Sequence, residues 1–355
     1  MQSISIQYAQ TLKAKPADES KLGFGKIFTD HMLIMDYTPD TGWQDMRIVP
    51  YGDFSMDPAS VVFHYGQAIF EGLKCYRGEG DSIRLFRPLD NFQRMSEGGV
   101  RMSMPPLDAQ ACVNGLKELL MIDRDWVPSS PGTSLYIRPT IIATDVGLGV
   151  HSSHNYRFFI ILSPSGAYYE SGLAPVDIYV EDSLVRAVRG GIGFTKAAAN
   201  YAASLYAGEA AAKKGFAQVL WLDGVEQKYI EEVGAMNIMF VLDGKVVTPM
   251  LNGSILSGIT RKSILQLAKD MGYEVQERRV SMQEVLDGAR SGALTEAFGT
   301  GTAAVVSPVG AFSWNGERVV VGDGGIGQVT QKLYDTLTGI QWGTIPDVHG
   351  WTIGF

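Results

Sequence analysis

The stretch Asn237-Ile238-Met239-Phe240-Val241-Leu242-Asp243-Gly244-Lys245-Val246-Val247-Thr248 reads as one β-hairpin. Two apolar runs flank Asp243-Gly244, the pair favoured where both turn positions need positive φ. Downstream, Ile264, Leu267, Ala268 and Met271 mark an amphipathic helix that Gly272 ends. Helices near Met282–Arg290 and Gly327–Thr338 and strands near Leu294–Phe298 and Ala303–Val306 complete that side. Upstream lie a strand Gln218–Leu222, an Ala-rich helix from about Ala198 to Lys214 ended by Gly215, and a strand Val176–Val180. Further back come strands Ile83–Phe86, Ser134–Ile142 and Arg157–Leu162, with a helix through Val113, Leu116 and Leu120 that stops near Trp126 and Pro128. Hairpin and helices interleaved in this way predict an α+β (mixed α/β) fold, not a single run of βαβ units.

A chain of 355 residues suits two packed domains better than one. Around Gly166–Pro175 the composition shifts toward Gly, Ser, Tyr and Pro. The expected division is a smaller N-terminal α/β domain over 1–167, a connection over 168–176 and a larger C-terminal domain over 177–355. No repeat or low-complexity tract is visible.

Of the residues, 45% are hydrophobic and 19% charged, with a net charge of -8. An acidic balance argues against nucleic acid and against an acidic membrane, since broad phosphate binding needs an excess of Lys and Arg. No apolar run approaches the roughly 18 to 20 residues of a membrane helix. The first 25 residues show no continuous apolar stretch and no Arg, so no presequence is read there and a cytoplasmic location is expected. Cys75 and Cys112, the only cysteines, form no metal or redox pattern and are expected to be reduced and structural.

Several familiar motifs fail. Gly190 to Lys196 resembles a P-loop only loosely: no Gly precedes the Lys and no Ser or Thr follows it. Gly299-Thr300-Gly301-Thr302 runs into a strand-like segment, whereas a dinucleotide fingerprint opens a helix. His151 and His154 are the only close histidine pair, and with Ser-rich surroundings and no nearby acid they read as surface residues, so no metal is expected.

Lys196 stands out among small neighbours, in Gly193-Phe194-Thr195-Lys196-Ala197-Ala198-Ala199-Asn200-Tyr201. A lysine taken alone is ordinarily solvated. Small neighbours permit close approach of a ligand, and a desolvated lysine has an amine nucleophilic toward an aldehyde. Tyr201, by itself a packing residue, could place a phenol near the same ligand. Glu231-Glu232 ordinarily means one solvated carboxylate and one modest ion pair; the functional reading is a carboxylate that keeps a pyridine nitrogen protonated. Ser257-Gly258-Ile259-Thr260 precedes the amphipathic helix, so its amides sit at a positive dipole end, although Ser-Gly there is often only a cap. Gly299 to Thr302 offers a second set of amides, with the Thr302 hydroxyl.

These residues resemble the branched-chain aminotransferases, the fold-type IV class of pyridoxal-phosphate (PLP) enzymes. The likeness runs from about Phe24 to the final helix. It includes Phe24-Gly25-Lys26, Asp30-His31-Met32, Tyr65 through Phe70-Glu71-Gly72, Arg84 to Pro88, Tyr136-Ile137-Arg138-Pro139, the Lys196 segment, Glu232-Val233-Gly234, Met236-Asn237, Leu256 to Arg261 and Phe298 to Ala303. It implies PLP at the interface of two domains, the larger C-terminal one binding it. Lys196 then carries the cofactor and moves the proton, Tyr201 meets the phenolic oxygen and Glu232 the pyridine nitrogen. Arg94, otherwise read as a surface helix residue, becomes the phosphate's cation, with the Ile259 and Thr260 amides and Thr302.

The resemblance further implies a substrate pocket of Phe24, Tyr65, Phe70, Tyr136, Arg138 and Tyr168, with Val150 from a neighbouring subunit and hence a homodimer or higher homo-oligomer. Aromatic walls suit Leu, Ile and Val, and Arg138 suits the second carboxylate of glutamate. Amides near Thr302 and Ala303 and the Tyr65 hydroxyl would hold the α-carboxylate. The aromatic residues keep a plain alternative as core. The implied partners are amino acids and 2-oxo acids, exchanged in a two-stage transamination. D-amino-acid transamination, aminodeoxychorismate lysis and non-catalytic PLP binding stay open. Two departures stand out: Ala235 replaces a Thr of several members, and Ala304 and Ser307 exclude the redox C-x-x-C of mammalian members.

Overall fold

A computed structural model describes residues 4–166 and 173–355. The chain forms two compact units: Met1–Tyr168 with Thr195–Ala199 and Gln341–Phe355, and Tyr169–Phe194 with Asn200–Ile340. Part of the connection expected at 168–176, residues 168–172, lies outside the described residues. The units also do not follow one cut in the chain. Ala197 bridges to Ile69, and Thr352–Gly354 pairs with Ile83–Phe86, so both segments belong with the first unit.

In the first unit, nine strands form one sheet. Its order is Ser5–Ile6, Gly42–Pro50, His31–Thr38, Tyr156–Ser165, Ser134–Ala143, Leu73–Arg77, Ile83–Phe86, Thr352–Gly354, and Ala68–Phe70 also pairs with Ser134–Ala143. The longest ladder runs antiparallel from Ser134↔Ser165 to Ala143↔Tyr156. Helix Ala109–Ile122 lies close on the sheet because Gly115 has no side chain: a Cβ there would come within 2.7 Å of Met46 Sδ and 2.8 Å of Leu33 Cδ1. Cys75 and Cys112 are free and buried, and desolvation pushes both thiols up to about 12, which suits inert packing groups.

The second unit is built on another nine-stranded sheet. Six strands, Ile230–Val233, Gln218–Leu222, Val176–Glu181, Val305–Trp314, Leu294–Gly301 and Met236–Leu242, follow one another, and the last pairs back to the first. The ring therefore closes as a barrel, which removes its free edges. Alternation along Gln218–Leu222 does two jobs at once. Leu220 and Leu222 enter one core with Ile238, Phe240 and Phe312, while Val219 and Trp221 pack against Ala207 and Ala211, one turn apart on helix Ala198–Lys213. The predicted hairpin is present, with Leu242 opposite Lys245 and positive φ at Asp243 (49°) and Gly244 (72°). Among the described residues, no helix is long and apolar enough to cross a membrane.

Candidate active site

Lys196 lies in the short return of the chain to the first unit. The Phe70 N–H donates to the Lys196 carbonyl oxygen over 3.0 Å, and Ala197 bridges to Ile69. These backbone ties fix the lysine against strand Ala68–Phe70, and its Nζ stands 5.1 Å from the centroid of the Phe70 ring. Lys196 is half-buried, not the solvated side chain of a typical lysine.

Phe70 has a second cation. The Arg138 guanidinium lies 4.7 Å from the same ring and 5.3 Å from the Tyr136 ring, and its Nη2 donates to the Tyr136 hydroxyl over 3.1 Å. Phe24 meets Tyr136 edge to face at 4.7 Å. The buried Nε of Arg138 has no hydrogen-bond partner, and among the described residues no carboxylate pairs with this guanidinium. Gly72 makes room for the arrangement: a Cβ there would fall 2.1 Å from the Tyr136 hydroxyl. Lys74, which no sequence pattern marks, faces Tyr136 across the ladder and so shares its side of the sheet. It is buried, and desolvation lowers its ammonium to about 8.

Arg94 sits on helix Pro88–Arg101, yet it is not a surface residue. Its Nε and Nη2 donate to the two oxygens of Glu71 at 2.7 and 2.8 Å, and Glu71 is fully buried. A forked pair of this kind fixes the guanidinium plane. Tyr65 turns to another partner, donating to the Leu148 carbonyl at 2.5 Å, and Val150 is 84% exposed. Tyr168 lies outside the described residues.

In the second unit, neither acid of Glu231-Glu232 is solvated; both are buried. Glu231 accepts from Asn252 at 3.0 Å and from the Ser254 hydroxyl. Glu232 pairs with Arg186 Nη2 at 2.7 Å, and its other oxygen accepts from Asn237 Nδ2 (3.2 Å) and the Leu256 N–H (3.1 Å). A buried carboxylate surrounded by a cation and two N–H donors is held as an anion. Arg186 gives no sign of this in the sequence, because an arginine in an irregular segment carries no period.

Register explains the rest of this cluster. Glu232 stands opposite Asn237, and Asn237 opposite Thr300, so the three side chains point to one face of the barrel wall. Asn237 also donates to the Leu256 carbonyl, and its Oδ1 lies where a Cβ on Gly258 would be, 2.0 Å away. Gly258 is the N-cap of helix Ile259–Asp270, so the amides of Ile259 and Thr260 open that helix beside the carboxylate's own partner. The Thr300 hydroxyl is buried without a hydrogen-bond partner. Such an orphan fits a wall that a polar ligand completes.

The second phosphate element differs from expectation. Gly299 and Thr300 are paired on both sides, to Ile238 and Asn237 and to Ser307 and Val306, so their amides belong to the sheet. The following turn covers Thr302–Ala304, and the next strand starts at Val305, not Ala303. Val305 has φ 63°, an uncommon conformation for a β-branched residue, right after the turn that holds Thr302 and Ala303. Tyr201 lies on helix Ala198–Lys213, where its carbonyl accepts from the Ser204 hydroxyl at 2.7 Å.

One expectation is overturned outright: His151 and His154 do have an acidic partner. Asp145, six residues before His151, folds back to within 3.4 Å of its ring and 3.1 Å of His154. A loop that doubles back brings together residues that spacing alone holds apart.

The family model for amino-transferase class IV matches residues 68–312. Branched-chain-amino-acid aminotransferase 2 of Bacillus subtilis (strain 168) is 54% identical over 351 residues, 99% of this chain and 96% of that one. Among solved structures, the branched-chain amino acid aminotransferase from Escherichia coli superposes with a TM-score of 0.73 at 29% identity, covering 91% of this chain and 98% of that one. A branched-chain amino acid aminotransferase from T.th., solved with pyridoxamine 5'-phosphate, gives a TM-score of 0.76 at 27% identity, covering 90% and 97%. Matched by the family model over residues 68–312 and by these relatives along nearly its whole length, the chain belongs to the class IV aminotransferases and, within them, to the branched-chain-amino-acid aminotransferases.

Proposed function

We propose that the chain transfers the amino group of L-leucine, L-isoleucine and L-valine to 2-oxoglutarate, giving branched 2-oxo acids and L-glutamate with PLP as cofactor. One observation carries this reading: a single apolar ring, Phe70, has the Lys196 amine 5.1 Å and the Arg138 guanidinium 4.7 Å from its centroid. A reactive amine, an apolar wall and a cation to which no described carboxylate pairs thus meet around one side chain. That set suits substrates whose side chain is either branched and aliphatic or a carboxylate.

PLP, when bound, supplies the electron sink for the charge left at the substrate Cα. Lys196 carries the cofactor, then takes the Cα proton and returns it as general base and acid. Glu232, kept anionic by Arg186, holds the proton on the ring nitrogen. Tyr201 donates to the phenolic oxygen. Arg94 and the amides of Ile259 and Thr260, with Thr302, hold the phosphate. Phe24, Tyr65, Phe70, Tyr136 and Tyr168 form the side-chain pocket with Val150 of a neighbouring copy, and the amides near Thr302 and Ala303 bind the α-carboxylate. The enzyme works in the cytoplasm as a homodimer or larger homo-oligomer.

The test is bleaching of the bound chromophore by a panel of L- and D-amino acids, with steady-state kinetics alongside. L-Leucine alone should bleach it, and initial rates should follow a ping-pong pattern. Preference for D-amino acids would favour D-amino-acid transamination, and an unchanged spectrum a non-catalytic PLP-binding protein. Replacing Lys196 with Ala should remove turnover, by about 10⁴-fold or more.

A further inference from the structure

The loop between strands Ser134–Ala143 and Tyr156–Ser165 is organised around Asp145. One carboxylate oxygen accepts from the Asn155 N–H (2.9 Å) and Nδ2 (2.6 Å), and the other accepts from the His154 N–H at 2.8 Å. Two imidazoles face this second oxygen as well: His154 through Nδ1 at 3.1 Å and His151 through Nε2 at 3.4 Å. The two rings lie 5.9 Å apart at 27°.

His151's other ring nitrogen narrows what its Nε2 presents. Nδ1 lies 2.7 Å from the Gly149 carbonyl oxygen. A carbonyl only accepts, so Nδ1 carries the hydrogen, and Nε2 of the neutral ring is a lone pair. Nε2 therefore faces the carboxylate either as the N–H of an imidazolium or, in the neutral ring, as a lone pair that a metal cation can bridge to the oxygen. A divalent ion does this for both imidazoles together and leaves each ring neutral. The spacing suits one: at metal–ligand distances of about 2.0–2.1 Å, a tetrahedral ion sets its ligand atoms about 3.3 Å apart. Here two of the separations are 3.1 and 3.4 Å, and all three ligand atoms lie within 4.8 Å of one another. Among the described residues no other group of three His, Cys, Asp or Glu side chains converges in this way.

We infer that Asp145, His151 and His154 form a three-ligand site for a zinc-class divalent cation, with water in the remaining position. Two imidazoles and one carboxylate are the donors such ions take, whereas calcium and magnesium seek oxygen alone. Bound metal ties the two ends of segment 146–150 together, because Asp145 precedes it and His151 follows it. The site does not rest on the transamination reading.

The full-length holoenzyme, free of any histidine tag, is titrated with ZnCl₂ by calorimetry and with CoCl₂ by visible absorption. The chain should take up one ion, Co²⁺ should show the bands of a low-coordinate site, and amide exchange over 146–150 should slow on binding. His151→Gln and His154→Gln change exposed rings, 39% and 69% exposed, and leave the backbone bonds of Asp145 in place. Each should weaken binding by about 10-fold or more. Equal uptake by the wild type and the His151→Gln/His154→Gln double variant would overturn the site, as would no uptake by the wild type.

Discussion

Two guanidinium groups in this molecule sit under opposite electrostatic conditions. Arg186, in the second unit, has the buried carboxylate of Glu232 at 2.7 Å and the Ser254 carbonyl at 2.7 Å. Arg138, on the sheet of the first unit, has two aromatic faces and one tyrosine hydroxyl but, among the described residues, no carboxylate; a buried Nε without a partner is common to both arginines. A charge withdrawn from water is costly unless something compensates it. Arg186 is compensated from within the fold, and its task is to keep Glu232 an anion. Arg138 is compensated only in part, and in the proposed function a substrate carboxylate supplies the missing counter-charge. On that proposal the same residue type serves as a fixture in one place and as a receptor in the other.

The sharpest way to break this comparison is to remove the fixture. Arg186→Leu leaves Glu232 buried without its cation, and loss of one partner of a buried pair costs about 3–5 kcal/mol. Urea unfolding should show that loss, and adding Glu232→Gln should recover most of it. A change below about 1 kcal/mol in the single variant would mean that the Asn237 and Leu256 donors suffice to hold the carboxylate.

Removing the receptor should act on substrates and hardly on stability. Arg138→Met keeps apolar bulk between Phe70 and Tyr136 but deletes the charge. The value of kcat/KM for glutamate and 2-oxoglutarate should fall by about 2–4 kcal/mol, roughly 30- to 1000-fold. For leucine it should fall less than about 10-fold. An equal fall for both classes would make Arg138 a structural member of the aromatic cluster.

How far the sequence reveals these two conditions depends on what each is made of. The hairpin at Asp243-Gly244 and the strand Gln218–Leu222 are local, and period and turn chemistry place both where the structure has them. The terminal strand Thr352–Gly354 is not evident in the sequence, because its pairing is with the distant Ile83–Phe86, whereas His31–Thr38 and Gly42–Pro50 pair locally with each other and go unread all the same. Barrel closure is likewise invisible in the chain, since it rests on Ile230–Val233 pairing with two strands at once. Within the candidate site, Lys196 and Glu232 declare themselves by unusual neighbours. The supports of Glu232 and Arg94, namely Arg186 and Asn237 for the one and Glu71 for the other, do not: a lone polar or charged residue in a sequence has no pattern that tells which partner it will meet.

Lys74 offers the finest test, because it adds a second cation to the receptor's side of the sheet. Burial lowers its ammonium to about 8, whereas in the unfolded chain a lysine keeps its proton to about pH 10.4. Below pH 8 both states are protonated and the folded state bears the whole desolvation cost. Between about 8 and 10.4 the unfolded chain holds more protons, so stability rises with pH and the cost fades. Lys74→Met should therefore remove this rise, about 3 kcal/mol between pH 8 and 10.4, from the stability profile read by urea unfolding. If the variant keeps the wild-type pH dependence, another group titrates in that window and Lys74 drops out of the comparison. If the pH dependence is lost and glutamate kinetics also weaken, both cations share in drawing the ligand's carboxylate.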